Sequence, residues 1–202
     1  MANLNEALSQ SNTSKWSQRF IVSAILQSMV IIVATTSGTI IQLAYSYEIN
    51  IIQFLSLSFE GPAKWIFLGY IFYMILITLI FMTATIYNHL EVNLLLQIRG
   101  LKSLLAWVNL IGVNVGGAVV AITLIYAGLV GSGIFDLIIT GNDAATLKEN
   151  PTVMNEFVIP IVVSVNILIV GVIVGSILYF ATYFQNMRYT KRKYTVRGDG
   201  YS

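Results

Sequence analysis

Residues 104–126 read LLAWVNLIGVNVGGAVVAITLIY and form a continuous apolar segment. A membrane-spanning helix needs about 20 predominantly apolar residues, so this segment is long enough to cross a bilayer. Gly112 and Gly116 lie four residues apart and share one face of a helix, which Gly117 and Ala121 are expected to widen. Small residues on one face let two membrane helices approach closely. The segment therefore predicts a membrane helix packed tightly against a neighbour.

A second glycine pair lies in the last apolar segment of the chain, Phe157 to Phe184. Gly171 and Gly175 are again four residues apart and share one helix face. Consecutive helices joined by a modest connection are usually neighbours, which favours contact between the two glycine faces within one chain. The alternative is that these faces join two copies of the chain in a homo-oligomer.

The composition places the chain among helical membrane proteins. Of its 202 residues, 56% are hydrophobic and only 10% are charged, and the mean hydropathy is +0.78. A soluble domain carries about 25% charged residues. A membrane β-barrel would show alternating polarity in segments of about ten residues, whereas the apolar runs here are continuous. The predicted fold class is an all-α membrane protein with four transmembrane helices in a bundle.

The hydropathy pattern divides the chain into two tails and one transmembrane domain. The first apolar run is longer than a signal-peptide core of about 7–15 residues, which favours a retained membrane helix. The predicted tails are 1–19, which is polar, and 187–202, which is basic. The domain 20–186 holds the predicted helices, at about residues 20–45, 65–88, 104–129 and 157–186. Its longer connections are 47–64 and 131–156.

The distribution of Lys and Arg predicts the orientation. With four spans, nine basic residues fall on the side that holds both tails and the connection between helices two and three. Only two, Lys64 and Lys148, fall on the opposite side. Cytoplasmic segments of membrane proteins carry an excess of Lys and Arg. Both termini are therefore predicted to be cytoplasmic, the loops 47–64 and 131–156 non-cytoplasmic, and the chain a multi-pass protein of the plasma membrane.

The sequence offers no catalytic constellation. It has no cysteine, which excludes thiolate nucleophiles and cysteine-ligated metal from this chain. The predicted spans have no charged residue or histidine in their interiors, which weighs against proton relays and charge-selective pores. The chain is therefore not expected to be an enzyme by itself.

The single histidine, His89, follows the second predicted helix. We interpret it as an interfacial polar residue that bonds to a neighbour, since His89 and Asn93 are four residues apart on a helix. The alternative is a redox role as a haem or metal ligand or beside a quinone. One histidine does not complete a typical metal site, so no cofactor or metal is predicted.

Polar amides lie inside the predicted spans. Asparagine and glutamine in hydrocarbon need partners, and hydrogen bonds between membrane helices contribute about 0.6–2 kcal/mol each. We interpret these residues as structural, bonding within the bundle or to a partner subunit, with a substrate path as the alternative. The residues are Gln27, Asn109, Asn114 and Asn166.

The basic tail is predicted to anchor the topology and to contact lipid head groups. A Lys or Arg near an anionic membrane surface contributes about 1 kcal/mol to lipid binding. The run is too short to indicate nucleic-acid binding, which depends on neutralising many phosphates. The predicted head-group contacts are Arg188, Lys191, Arg192 and Lys193.

Together these features favour a non-catalytic structural or accessory subunit of a larger membrane complex, in which other integral membrane subunits carry any redox or energy-transducing site. The competing hypothesis is a small homo-oligomeric channel or carrier for a neutral or lipidic solute. Membrane lipids are expected partners under either hypothesis.

The orientation is testable with single cysteines, because the natural sequence has none. A cysteine replacing Ser202 should react only with reagents that reach the cytoplasm, and one replacing Asn142 only with reagents added outside. The basic asymmetry is the physical reason. The measurement is labelling of intact cells with a membrane-impermeant maleimide, before and after lysis. Labelling of both positions from one side would contradict the four-span arrangement.

Overall fold

A computed structural model describes residues 14–44, 61–62, 64–140 and 151–198. All regular elements in these ranges are helices, which confirms the predicted all-helical chain. Six of them are α-helices, listed here in chain order: α1 Lys15–Ala44, α2 Lys64–Asn88, α3 Leu101–Ile111, α4 Gly117–Gly131, α5 Ile134–Thr140 and α6 Met154–Gly198.

Two π-helical segments interrupt or extend these helices. The terminal π turn, His89–Asn93, continues α2, and the central π segment, Gly112–Gly116, joins α3 directly to α4. Ile111 and Gly117, on either side of the central segment, keep right-handed helical backbone angles. A π-helix closes i→i+5 bonds and so inserts extra chain into an α-helix without ending it. α3, the central π segment and α4 therefore form one continuous helical rod.

Four helical stretches of the described chain are long and apolar enough to cross a membrane, as predicted. They are 27 to 32 residues long, against about 20 needed to cross the hydrocarbon core. They are called spans 1 to 4 below: Lys15–Ile41, Lys64–Asn93, Leu101–Gly131 and Met154–Gln185.

Some helix ends differ from the predicted bounds. α1 begins at Lys15, ahead of the predicted residue 20, because Ser14 provides an N-cap. α6 continues through the predicted basic tail to Gly198. Lys and Arg are good helix formers, and the tail has no glycine or proline before Gly198 to end the helix. In the predicted loop 131–156, the short helix α5 packs against α4.

α2 lies between α1 and α4, and α6 packs against α3, the central π segment and α4. The buried residues of α2 recur every three or four positions, which is the spacing of one helix face. Residues from all four spans meet in one apolar cluster, which includes Phe20, Leu76, Ile80, Val113 and Leu178.

Span 3 and α6 are in backbone contact at three glycines, Gly112, Gly116 and Gly171. A Cβ atom placed on Gly112 would lie 2.7 Å from the Cα atom of Gly171. One placed on Gly116 would lie 2.6 Å from the backbone nitrogen of Leu168. Both distances are below any real Cβ contact, so no residue larger than glycine fits without moving a helix.

Gly117 and Ala121 were expected to widen this face, but the structure places them against α2. A Cβ on Gly117 would lie 2.4 Å from Leu76 Cδ1, and one on Gly69 would lie 2.8 Å from the carbonyl oxygen of Ala121. The reason is helix geometry, since consecutive residues point about 100° apart and Gly116 already faces α6. Span 3 thus uses small residues on two faces, one for α6 and one for α2.

The second half of α1 is mostly exposed, although the hydroxyl of Thr35 lies 3.3 Å from that of Tyr70 on α2. Ile31 is buried, whereas every residue from 32 to 40 is exposed. A Cβ on Gly38 would meet no described atom within 4 Å. Beyond this contact, this half of α1 presents an exposed surface within the described chain.

Gly171→Ile and Gly116→Ile are expected to destabilise the folded chain by about 1–3 kcal/mol, the usual cost of overpacking. The first atom of the new side chain would meet backbone atoms, which cannot rotate away. The measurement is the fraction of protein that stays monodisperse in size-exclusion chromatography after heating.

The matched controls are Val119→Leu, Val172→Leu and Gly38→Ile. Both valines are exposed, and Gly38 has open space where its side chain would go. These variants should survive heating like the natural protein. If Gly171→Ile survived equally well, the close contact between α6 and span 3 would be wrong.

Candidate functional site

Asn114, in the central π segment, is the centre of a polar network between the helices. Its Oδ1 atom accepts hydrogen bonds from Ser23 Oγ and, at 3.5 Å, from Gln27 Nε2, both on α1. Its Nδ2 atom donates to the carbonyl oxygen of Leu110, 2.9 Å away. The amide is thus bonded on both sides although it is buried in an apolar span.

The network continues from α1 to α2. The hydroxyl of Tyr73 donates to Oε1 of Gln27, and the ring of Tyr73 is buried. Through Asn114, Gln27 and Tyr73, hydrogen bonds therefore connect span 3, span 1 and span 2. Such bonds fix how the helices are rotated, because an unpaired amide in an apolar interior is costly.

Asn114 does not lie at the glycine contact between span 3 and α6. The amide faces α1, on the side of the rod away from the glycines that contact α6. Ser23 and Gln27 carry a sequence signal for this arrangement, since they are four residues apart and form a polar patch on one face of α1. The sequence carries no signal for the hydrogen bond of Tyr73, because an aromatic residue in a span usually serves only to pack against its neighbours.

Asn109 forms a second polar contact, between span 3, span 2 and span 4. Its Nδ2 atom lies 3.2 Å from the hydroxyl oxygen of Tyr87 and donates to it. Both residues are buried. A Cβ on Gly175 would lie 2.3 Å from Asn109 Nδ2, so this glycine makes room for the amide rather than for a helix backbone.

A lateral cavity of about 300 Å³ opens beside this contact. Its wall is mostly apolar and comes from α2, span 3 and α6, with Leu79, Val172 and Phe180 among its residues. Asn109, Tyr87 and Ser176 add a few polar atoms. A cavity with apolar walls and few polar groups is typical of sites for apolar ligands.

Asn166 does not join either polar contact. It is exposed on α6, and its Nδ2 atom donates to the carbonyl oxygen of Val162 one turn earlier, at 2.8 Å. Asparagine bonded in this way to its own helix makes no connection to another span. Of the four predicted polar residues, the structure therefore brings Gln27 and Asn114 together and leaves Asn166 on the outer surface. Asn109 bonds to Tyr87 of α2 and lies beside Gly175 of α6.

An aromatic cluster closes the end of the helices where α1 begins. It consists of Trp16, Phe20, Tyr87 and Trp107. The rings of Phe20 and Tyr87 stack 4.9 Å apart, and those of Trp16 and Trp107 meet edge-on at 5.6 Å. The guanidinium of Arg19 lies 4.5 Å from the ring centre of Trp16 and 4.9 Å from that of Trp107, within cation–π range.

Glu91, in the terminal π turn, caps the N-terminus of α1. Its Oε2 atom accepts hydrogen bonds from the hydroxyl of Ser14 and, at 3.1 Å, from the backbone nitrogen of Trp16. Ser14 Oγ in turn accepts from the backbone nitrogen of Ser17. A carboxylate at a helix N-terminus also complements the helix dipole. The sequence carries no signal for this role of Glu91, because 75 residues separate it from the amide that it caps.

The other predicted positions have simple surroundings. Asn93 Nδ2 lies 3.0 Å from His89 Nδ1, the neighbour predicted for this histidine. The described part of the chain contains no group of three or more His, Cys, Asp or Glu residues that could hold a metal. The tail residues Arg188, Lys191, Arg192 and Lys193 belong to the C-terminal part of α6, and their side chains lie outside the described structure.

No protein-family model matches the chain, and comparison with curated proteins and with solved structures gives no match. Function is therefore inferred from the chain's own residues. The bonded groups of the two polar contacts are amides, hydroxyls and phenols, which donate and accept hydrogen bonds without carrying charge at neutral pH. They are suited to holding helices in register and to binding a polar group.

Asn114→Leu is expected to lower the stability of the chain by about 0.6–2 kcal/mol, because Ser23 and Gln27 lose their acceptor on span 3. Asn166→Leu is the matched control, since that amide bonds only within its own helix turn among the described residues. The measurement is the melting temperature in one detergent. Equal melting temperatures for the two variants would show that the network does not stabilise the fold.

Proposed function

We propose that this chain is a non-catalytic, multi-pass subunit of a larger membrane protein complex. The observation that carries the proposal is Asn166, an amide exposed near the middle of span 4. Lipid tails offer an amide no hydrogen bond, and polar side chains inside spans usually face protein. A partner helix that bonds to Asn166 accounts for its place on the outer surface.

The exposed second half of α1 supports the same proposal. Its exposed residues include Thr35, Thr36, Ser37, Gly38 and Thr39. Small and hydroxyl-bearing residues are typical of surfaces where membrane helices pack against one another. Gly38 leaves a gap in this surface that a second helix backbone would fill.

The distribution of buried surface points to the same two helices. In the most apolar window of span 3, 44% of residues are buried, against 17% in span 1 and 11% in span 4. Span 3 is therefore the centre of the chain's own packing, whereas spans 1 and 4 offer most surface to a partner. Other integral membrane subunits are the proposed occupants.

We further propose that the four spans form a bundle in the plasma membrane with both termini in the cytoplasm. The nine-to-two distribution of Lys and Arg supports this orientation. The aromatic cluster supports it too, because tryptophans are enriched at membrane interfaces and Arg19 marks the basic side. The basic tail that follows span 4 would then contact lipid head groups on the same side.

A second candidate function rests on the lateral cavity. Its apolar wall and the Asn109–Tyr87 pair are suited to a neutral or lipidic solute with one hydrogen-bonding group. Under this hypothesis the chain is a small homo-oligomeric carrier, and its copies meet at the outer faces of spans 1 and 4.

The expected result is that Asn166→Leu and Gly38→Ile release a partner subunit while the chain itself stays folded. Asn166→Leu removes an amide that could bond to a partner helix, and Gly38→Ile fills the gap proposed for a partner backbone. Neither change touches the chain's own core. The measurement is the mass of the intact particle, purified in mild detergent from its natural host through a tag on this chain.

Val119→Leu, at an exposed apolar position on span 3 and so outside the proposed partner surface of spans 1 and 4, is the control and should keep the partner. A particle that contains only copies of this chain would contradict the accessory-subunit proposal and support the carrier. Partners retained by both variants would show that the interface lies elsewhere.

A further inference from the structure

A second cavity, of about 340 Å³, lies where α1 begins, the terminal π turn ends and α3 begins. Three basic side chains and one acidic side chain line it: Lys15, Arg19, Arg99 and Glu91. Gln97 and Ser103 add neutral hydrogen-bonding groups. The wall therefore carries an excess of positive charge and several donors.

The charges in this cavity are not balanced against one another. The Glu91 carboxylate is engaged by the Ser14 hydroxyl and the Trp16 amide. No carboxylate of the described chain forms an ion pair with Lys15 or Arg99, and both side chains are exposed. Positive charges without a partner in a recess are suited to binding an anion.

The backbone turn between span 2 and span 3 positions one of these basic residues, Arg99. Gly100 has φ +61° and ψ −128°, a backbone conformation that residues other than glycine rarely adopt. Its carbonyl oxygen accepts the first helical hydrogen bonds of α3. Arg99 directly precedes this turn. The turn therefore fixes the backbone position of Arg99, which lines the cavity together with Lys15.

The cavity shares Trp16 with the aromatic cluster, and tryptophans are enriched at the boundary between lipid tails and water. Span 3, which contributes Ser103 to the cavity wall, also carries an exposed apolar stripe. Leu101, Leu104, Val108 and Ile111 follow one another at intervals of three or four residues, so they share one face. A molecule with an anionic head at the cavity and an apolar chain on this stripe would match both surfaces.

We propose that this cavity binds the phosphate group of an anionic membrane lipid, with an acyl chain of the lipid against the stripe on span 3. Arginine forms bidentate hydrogen bonds to phosphate, and lysine adds a point charge. Basic recesses between membrane helices on the cytoplasmic side are suited to such head groups. The site is separate from the proposed partner surface on the outer faces of α1 and α6.

The test uses the full chain in a neutral detergent and native mass spectrometry. Dioleoyl phosphatidylglycerol should bind more tightly than dioleoyl phosphatidylcholine, which has no net charge. The double variant Lys15→Gln/Arg99→Gln should bind phosphatidylglycerol about 30-fold more weakly, which corresponds to about 1 kcal/mol for each basic residue. Arg99→Lys should bind more tightly than Arg99→Gln, because it keeps the charge.

Lys102→Gln is the matched control. Lys102 lies on the same side of the molecule, but its ammonium donates to Gln185 Oε1 at 2.8 Å and does not line the cavity. This variant should retain phosphatidylglycerol like the natural chain. An equal loss for Lys102→Gln and the double variant would overturn the site, as would equal binding of the two lipids by the natural chain.

A soluble ligand is distinguished by competition. Glycerol 3-phosphate carries the anionic group without acyl chains, so it should displace phosphatidylglycerol only weakly. Displacement at the same concentration as the lipid would overturn the lipid assignment in favour of a soluble phosphate ester. Size-exclusion profiles matching that of the natural protein show that the variants are folded, so that a loss of lipid reports on the site.

Discussion

The backbones of span 3 and α6 touch at Gly112 and Gly171, and the position of Asn109 between its neighbours depends on this approach. Lipid gives two apolar helices no hydrophobic reason to associate, so close packing must hold them together. The same approach brings Gly175 beside Asn109, where the missing side chain leaves room for the amide. Asn109 then reaches Tyr87 on α2, so one backbone contact positions three spans.

The central π segment decides what span 3 presents to each neighbour. It contains both Asn114 and the glycines that contact α6. Gly112 and Gly116 face α6, while Asn114 faces α1 and bonds to Ser23 and Gln27. π-Helical insertions occur often at functional sites, because they turn side chains away from their α-helical directions. With this insertion, span 3 contacts α1, α2 and α6 through different faces.

The two ends of α1 have different surroundings. Its first half is capped by Glu91, stacked through Phe20 on Tyr87 and bonded to Asn114, whereas residues 32–40 are exposed. The capped end of α1 carries the basic cavity, and its exposed second half carries the small and hydroxyl-bearing residues. The proposed lipid site and the proposed partner surface therefore use opposite ends of one helix.

Much of the helical architecture follows from sequence alone. The four spans are predicted by hydropathy, because the cost of placing a residue in lipid is local and adds up along about 20 neighbouring positions. The glycine spacing of residues 112, 116, 171 and 175 likewise indicates close helix contacts, since spacing alone puts small residues on one face.

Only the tertiary structure decided which helix each small or polar residue faces. Gly117 and Ala121 pack on α2, Asn114 turns to α1 and Asn166 stays outside, although all four lie in similar apolar runs. The choice depends on how far each helix is rotated, and the central π segment changes that rotation within span 3. The role of Glu91 likewise needs the tertiary structure, because its partner Trp16 lies 75 residues away and packing alone brings the two together.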